Sequence, residues 1–216
     1  MFLLLEDLDD SGYSIRRSSG QIRWNDLQNC IRWLAHFHAT FLGVKPDGLW
    51  KNGTYWHLDT RPDELLAIKD TELGRSASLI DEKLNNCKFK TLLHGDAKLA
   101  NFCFSCSGTQ VGAVDFQYVG GGCGMKDLAY FIGSCLDEND CERHAAQLLD
   151  SYFQSLQNAV GNMESKVFSE IESEWRSLFP FAWTDFHRFL KGWSPGHRKI
   201  NSYSERLAQQ IISSFQ

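Results

Sequence analysis

Apolar residues recur at Leu27, Ile31, Leu34, Ala35 and Leu42 in the stretch WNDLQNCIRWLAHFHATFLG, Trp24 to Gly43. Spacings of three and four put them on one helical face, so an amphipathic helix is predicted there. Asn25 or Asp26 is expected to cap its start and Gly43 to end it. His38 falls on the inward face and reads as a core histidine with satisfied ring nitrogens, a ligand role being the alternative. Upstream, FLLLEDL reads as a buried strand with a polar exit, and DDSGYSIRRSSG as a loop. Residues 44–60 carry no regular pattern, and 61–86 predict one or two polar helices. KTLL makes a short apolar lead into His94. The alternation in NFCFSCSGTQVGAVDFQYV predicts a β-hairpin with SGTQ near its turn. GGGCG reads as a loop and MKDLAYFIGSCL as a helix. From Asp140 onward the pattern predicts three or four helices, broken near Gly161, around FPFAWT and at GWSPGH. The fold class expected is α+β and mainly helical, with a small β-hairpin embedded in the middle.

Composition narrows the class of protein. The 216 residues are 43% hydrophobic and 23% charged, enough for one sizeable core. Net charge is −5 with no Lys/Arg block, which argues against nucleic acid or an anionic membrane as partner. The opening MFLLLEDLDD is too short and too quickly acidic for a signal peptide or anchor, and no apolar run approaches a spanning length. A cytoplasmic protein is expected, its seven cysteines mostly reduced and buried. Cys103 and Cys106 form a C-x-x-C, but within a strand such residues point to opposite faces, and no second pair completes a zinc site.

The candidate chemistry lies in LLHGDAKLANFCFS, Leu92 to Ser105. Phosphoryl transfer needs a carboxylate to orient the attacking hydroxyl, oxygen ligands for Mg²⁺, and positive charge on the moving group. Asp96 suits the first role. Asn101, five residues on, can return an amide oxygen to the same cavity if the loop curls. Lys98 can reach a γ-phosphate, or it is a solvated surface lysine. Asp115, 19 residues after Asp96, arrives on the hairpin as a metal carboxylate. For Asp96, Asn101 and Asp115 the plainer alternative is a polar turn cluster. GGGCGMKD fails as a P-loop: Met125 stands where the second Gly belongs and Asp127 where Ser or Thr belongs.

With H-G-D-x-x-x-x-N and the later Asp115, the chain resembles the protein kinase-like superfamily, and within it the aminoglycoside phosphotransferase / choline kinase-like group. Protein kinases carry H-R-D and D-F-G at these places; here Gly95 and Asp115-Phe116-Gln117 stand instead. LAHFHA and KDLAYFI are similar to two further helical stretches of that group. Lys98 stands where many of its members have His or Trp. The resemblance implies ATP- and Mg²⁺-dependent phosphorylation of a small hydroxyl-bearing substrate, with Asp96 and Lys98 catalytic and Asn101 and Asp115 on the metal. It makes His94 and Asp127 structural supports of the loop. It makes residues 1–12 a hinge-like segment whose Leu5, Glu6 and Asp7 meet the adenine. Residues 13–216 become a kinase-like C-lobe, with the catalytic loop and metal hairpin at 92–127 and a helical substrate region at 140–216.

That layout has the hinge at the first residues and the N-terminal lobe largely absent. A chain lacking that lobe is expected to bind nucleotide weakly and turn over little, and to expose apolar surface around Phe2 to Leu5 for self-association or an N-lobe partner. The alternative function is a non-catalytic kinase-like binding or scaffold module. For the substrate, Trp175, Trp183, Asp185, His187 and Trp193 are candidates; aromatic faces and a carboxylate suit a cationic amine-alcohol, and the plainer reading places the tryptophans in the core.

Overall fold

The computed structural model describes residues 5–215. Helices dominate, and four three-residue strands form two small antiparallel ribbons. Helix α1 spans Trp24–Thr40 and buries Leu27, Ile31, Leu34, Ala35 and His38. It starts earlier than expected. Arg23 occupies the cap position, and Asp26 sits three residues inside it, its carboxylate accepting the Arg23 backbone N–H at 3.1 Å. Asp26 is fully buried and also faces Arg17 at 3.3 Å, so it staples the helix entrance rather than capping it from outside.

Two helices follow the irregular 44–60 stretch: α2, Pro62–Ala67, and α3, Glu72–Asn85. Strand β1, Thr91–Leu93, then leads to His94. The hairpin is present, β2 at Phe102–Phe104 pairing with β3 at Val111–Ala113. Its Cys103 is buried and Cys106 exposed, and all seven cysteines are free thiols.

GGGCG is not simply a loop. Gly120–Gly122 forms strand β4, paired with β1 so that Leu93 faces Gly120 and Thr91 faces Gly122. The glycines are there for clearance: a Cβ on Gly120 would lie 2.3 Å from the Trp50 carbonyl oxygen. The segment around Trp50 and Gly53 is hydrogen-bonded directly onto this strand.

Helix α4, Met125–Cys135, is buried along its whole length. Helix α5, Glu138–Ala159, packs along α1. Helix α6, Ser165–Trp193, runs unbroken through Pro180, where a break was expected. A mid-helix proline costs about 3 kcal/mol. α6 buries Ile171, Trp175, Leu178, Phe179, Trp183 and Phe189 among others, and each large apolar side chain returns roughly 1.5–3 kcal/mol. Burial therefore outweighs the lost hydrogen bond. Helix α7, Ser202–Ser213, closes the bundle against α6.

At the start of the chain, Leu5 is exposed and residues 5–7 form no strand, so the described part of the FLLLEDL stretch is not a buried strand. Phe2 to Leu4 lie outside the described residues. Among the described residues no helix is long and apolar enough to cross a membrane.

Candidate functional site

The loop after β1 is held by one buried carboxylate. Asp127, in the first turn of α4, accepts the backbone N–H of His94 at 2.6 Å and of Gly95 at 3.0 Å. An acidic side chain in a helix's first turn also meets the positive end of the helix dipole. His38 Nε2 lies 3.2 Å from Asp127, and His38 Nδ1 lies 2.7 Å from the Tyr152 hydroxyl. His38 is therefore a buried relay joining α1, α4 and α5 at the base of the loop. Burial alone would push the Asp127 carboxyl up; the His38 hydrogen bond and charge, with His94 and the Gly95 amide, hold it below the usual range.

His94 Nδ1 accepts the Asp96 N–H at 3.2 Å, so the ring proton sits on Nε2, which donates to the Val114 carbonyl at 2.9 Å. His94 thus ties the loop to the end of β3. Gly95 explains the missing arginine of the protein-kinase motif. Its φ is +82°, and a Cβ there would lie 2.1 Å from the Tyr118 carbonyl oxygen.

Beyond Asp96 the chain curls. Lys98 N–H donates to the Asp96 carbonyl, and a short 3₁₀ turn at Leu99–Asn101 returns Asn101 to the start of the loop. Asn101 Nδ2 donates to the Asp96 carbonyl at 2.7 Å and to Asp96 Oδ2 at 3.0 Å. Lys98 Nζ is 2.7 Å from the same Oδ2. Asp96 is 3% exposed, and its other oxygen, Oδ1, is buried without a hydrogen-bond partner. Because Asn101 turns its NH₂ toward Asp96, its Oδ1 takes no part in these bonds.

Asp115 follows Val114, whose N–H donates to the Asn101 carbonyl at 2.9 Å and whose carbonyl accepts from His94. The backbone of Asp115 therefore begins beside both loop residues. Its φ is +69°, an uncommon left-handed conformation that aspartate tolerates better than most residues. Its side chain is exposed and makes no hydrogen bond or ion pair among the described residues. Asp96, Lys98 and Asn101 are in direct contact, and Asp115 is adjacent through the backbone. No trio of His, Cys, Asp or Glu among the described residues is grouped for a metal ion. The donors fit Mg²⁺ in another way: this ion binds through one or two carboxylates, the rest of its shell being water and phosphate oxygen. Asp115 offers a free carboxylate and Asn101 an uncommitted amide oxygen, the donor types that ion takes.

Leu5, Glu6 and Asp7 are exposed and lead into a turn over residues 8–12, where Asp7 Oδ1 accepts from Asp9 N–H at 2.9 Å. Four of the five substrate candidates are buried. Trp175 and Trp183 are buried and bonded to the Phe89 carbonyl and Ser204. Asp185 is buried between Lys126 and Arg188, and His187 is buried on α6. Trp183 and His187 line only a crevice of about 10 Å³, whereas Trp193 lines a larger cavity, mostly beside residues the sequence pattern did not single out. That cavity, about 410 Å³, opens next to Lys98 and is walled by Tyr55, Tyr130 and Phe186. Tyr55 N–H donates to the Gly95 carbonyl, and its hydroxyl lies 3.2 Å from that of Tyr130. Burial pushes the Tyr55 phenol up to about 12 and raises Tyr130 further, Tyr55 and Asp96 adding to the effect on Tyr130. Tyr130 could have been found from its place three residues after Asp127 on one helix; nothing in the irregular 44–60 segment pointed to Tyr55.

A mainly helical body with a His-Gly-Asp loop held beside a small β-hairpin is that of the kinase-like superfamily, on its small-molecule phosphotransferase side. The model of the ecdysteroid kinase-like family matches residues 54–165, just over half of the chain, and the chain belongs to that family. The match takes in Tyr55, the whole 94–115 cluster, Asp127 and Tyr130. Among solved structures, an aminoglycoside-3'-phosphotransferase of type VIII is similar at 17% identity and a TM-score of 0.42, over 76% of this chain and 64% of that one. The chain thus spans less than two thirds of that protein's length. No curated protein sequence matches it.

Proposed function

We propose that the chain is a phosphotransferase that moves the γ-phosphoryl group of ATP, with Mg²⁺, onto a hydroxyl of a small molecule. The observation that carries this reading is the state of Asp96. One oxygen is fixed by Lys98 and Asn101, while the other is buried without a hydrogen-bond partner, and Lys98, bonded to the first, lines a cavity. An orphaned buried carboxylate oxygen costs about 1–3 kcal/mol or more. An incoming hydroxyl would satisfy it, and in doing so would be oriented for attack.

In this reading Asp96 Oδ1 accepts the acceptor's hydroxyl hydrogen and holds the proton as the oxygen attacks. Lys98, anchored by Asp96 and partly exposed, presents its ammonium to the phosphoryl group in flight. Asp115 and the Asn101 amide oxygen would hold Mg²⁺, which supplies charge neutralisation on the phosphates when bound. His94 and Asp127 touch none of the reacting atoms and act by positioning. The backbone at Leu5 to Asp7 is assigned to the adenine edge.

The test is thermal stabilisation of the chain by ATP with and without Mg²⁺, repeated on Asp115→Ala. Selective binding to the native state raises the melting temperature by mass action. A magnesium-dependent rise that Asp115→Ala abolishes is expected. A rise indifferent to magnesium, or one that survives the substitution, overturns the assignment.

A further inference from the structure

The cavity beside Lys98, whose ammonium is held by Asp96, has a charge pattern that bears on what enters it. Four cations line it, Arg17, Lys98, Arg198 and Lys199, and no aspartate or glutamate does. Two of the four are already paired: Lys98 with Asp96 at 2.7 Å, and Arg17 with Asp26 at 3.3 Å. Arg198 and Lys199 have no ion pair among the described residues. Lys199 is half-buried, its ammonium 4.9 Å from the Tyr130 ring and 5.2 Å from the Phe186 ring. Burial, with Arg198 alongside, pulls the Lys199 ammonium down to about 8. His197 adds no fixed charge, because burial and its two basic neighbours lower it too. The rest of the wall is aromatic, from Tyr55, Tyr130, Phe186 and Trp193.

Arg198 and Lys199 stand side by side on the cavity wall with no carboxylate paired to either among the described residues, so an anionic group placed there gains from both. We infer that this cavity selects a hydroxyl compound bearing an organic anion, with an apolar or aromatic body against Tyr130 and Phe186 and its anionic group on Arg198 and Lys199. The hydroxyl end then faces Asp96. This replaces the cationic amine-alcohol expected from the sequence, whose proposed carboxylate, Asp185, is locked in the core. The inference deepens the phosphotransferase reading and rests on it for the word acceptor, but the preference for an anion can be measured without nucleotide.

Three probes of one shape separate the charge from the body: 4-(hydroxymethyl)benzoate, 4-(hydroxymethyl)benzamide and 4-(hydroxymethyl)benzylamine, titrated into the full chain by calorimetry without ATP. The benzoate is expected to bind about tenfold more tightly than the amide, and the amine more weakly still. Arg198→Gln, at an exposed position, and Lys199→Gln are each expected to bring benzoate and amide to within about twofold, with the melting temperature checked to confirm folding. Equal affinities for the three probes, or no binding by any, overturn the inference. So does a pair of variants that weaken Mg²⁺–ATP binding and leave the benzoate preference intact, since the cations would then serve the nucleotide. A benzoate preference in a wild-type chain that fails to bind Mg²⁺–ATP upholds the anion site and removes the phosphotransferase reading instead.

Discussion

Asp96 divides its two oxygens between structure and chemistry, and a single isosteric change separates the two. Asp96→Asn keeps the volume and can still be held by Lys98 or Asn101, but it cannot take a proton. Phosphoryl transfer is expected to fall about 10²- to 10⁴-fold, the usual worth of a positioned general base, with Mg²⁺–ATP affinity changed less than about threefold. Steady-state rates beside nucleotide titrations check this; an equal loss in both would make Asp96 a folding residue. Asp127 carries the opposite burden. Its folded carboxyl lies below the ordinary value of 3.8, so the stability it adds is complete above that pH and is lost as pH falls through the lower folded value. Asp127→Asn removes that contribution. The gap in urea midpoint between wild type and variant is expected to stay constant over about pH 5 to 7 and to narrow below the ordinary aspartate value. A gap unchanged down to acid would show that the charge on Asp127 is not what braces the loop.

The elements that frame the loop depend on features that periodicity does not report. Strand β4 exists because three glycines let the Trp50 segment lie directly on it, so Gly120→Ala places a methyl against a backbone oxygen that cannot swing away. A loss of about 2–4 kcal/mol is expected, read by urea denaturation; a neutral variant would mean the ribbon is not tightly closed. In α6, Pro180→Ala restores an N–H in a helix that is continuous without it. The variant is expected to be more stable by about 1–3 kcal/mol in the same measurement. These two places are also where reading the sequence failed, for a physical reason. Gly and Pro report local backbone preference, and here the tertiary packing overrides that preference. Helices α1, α4 and α5 were legible because their apolar residues fall on one face or run unbroken. The site divides in the same manner. Asp96, Lys98 and Asn101 could be read together because five residues of chain hold them. The cavity wall could not, because Arg17, Tyr55, Tyr130 and Lys199 meet only when four distant segments pack.

At the scale of the molecule, one buried charge cluster sets where those segments meet. Asp185 of α6 lies 3.0 Å from Arg188 and 3.5 Å from Lys126 of α4, and it accepts the Trp56 indole N–H at 3.1 Å. Arg188 in turn donates to the Trp56 carbonyl at 2.9 Å. All three charged side chains are at most 2% exposed. Trp56 packs on Tyr130 and Phe186, the rings that floor the cavity, so the cluster fixes the cavity from beneath. Burial alone would raise the Asp185 carboxyl, but Arg188 and Lys126 hold it low and charged. Two cations thus share one anion, and removing the anion leaves both uncompensated. Asp185→Ala is expected to cost about 3–5 kcal/mol, against little gain from any repacking. Lys126→Met combined with Asp185→Asn leaves a single cation with neutral acceptors, and it should recover part of that loss. Urea denaturation of the two variants, followed by tyrosine and tryptophan fluorescence, decides the matter. If Asp185→Ala lost under about 1 kcal/mol, the cations would have to be screened by water, and the cavity floor would owe its position to the aromatic packing alone.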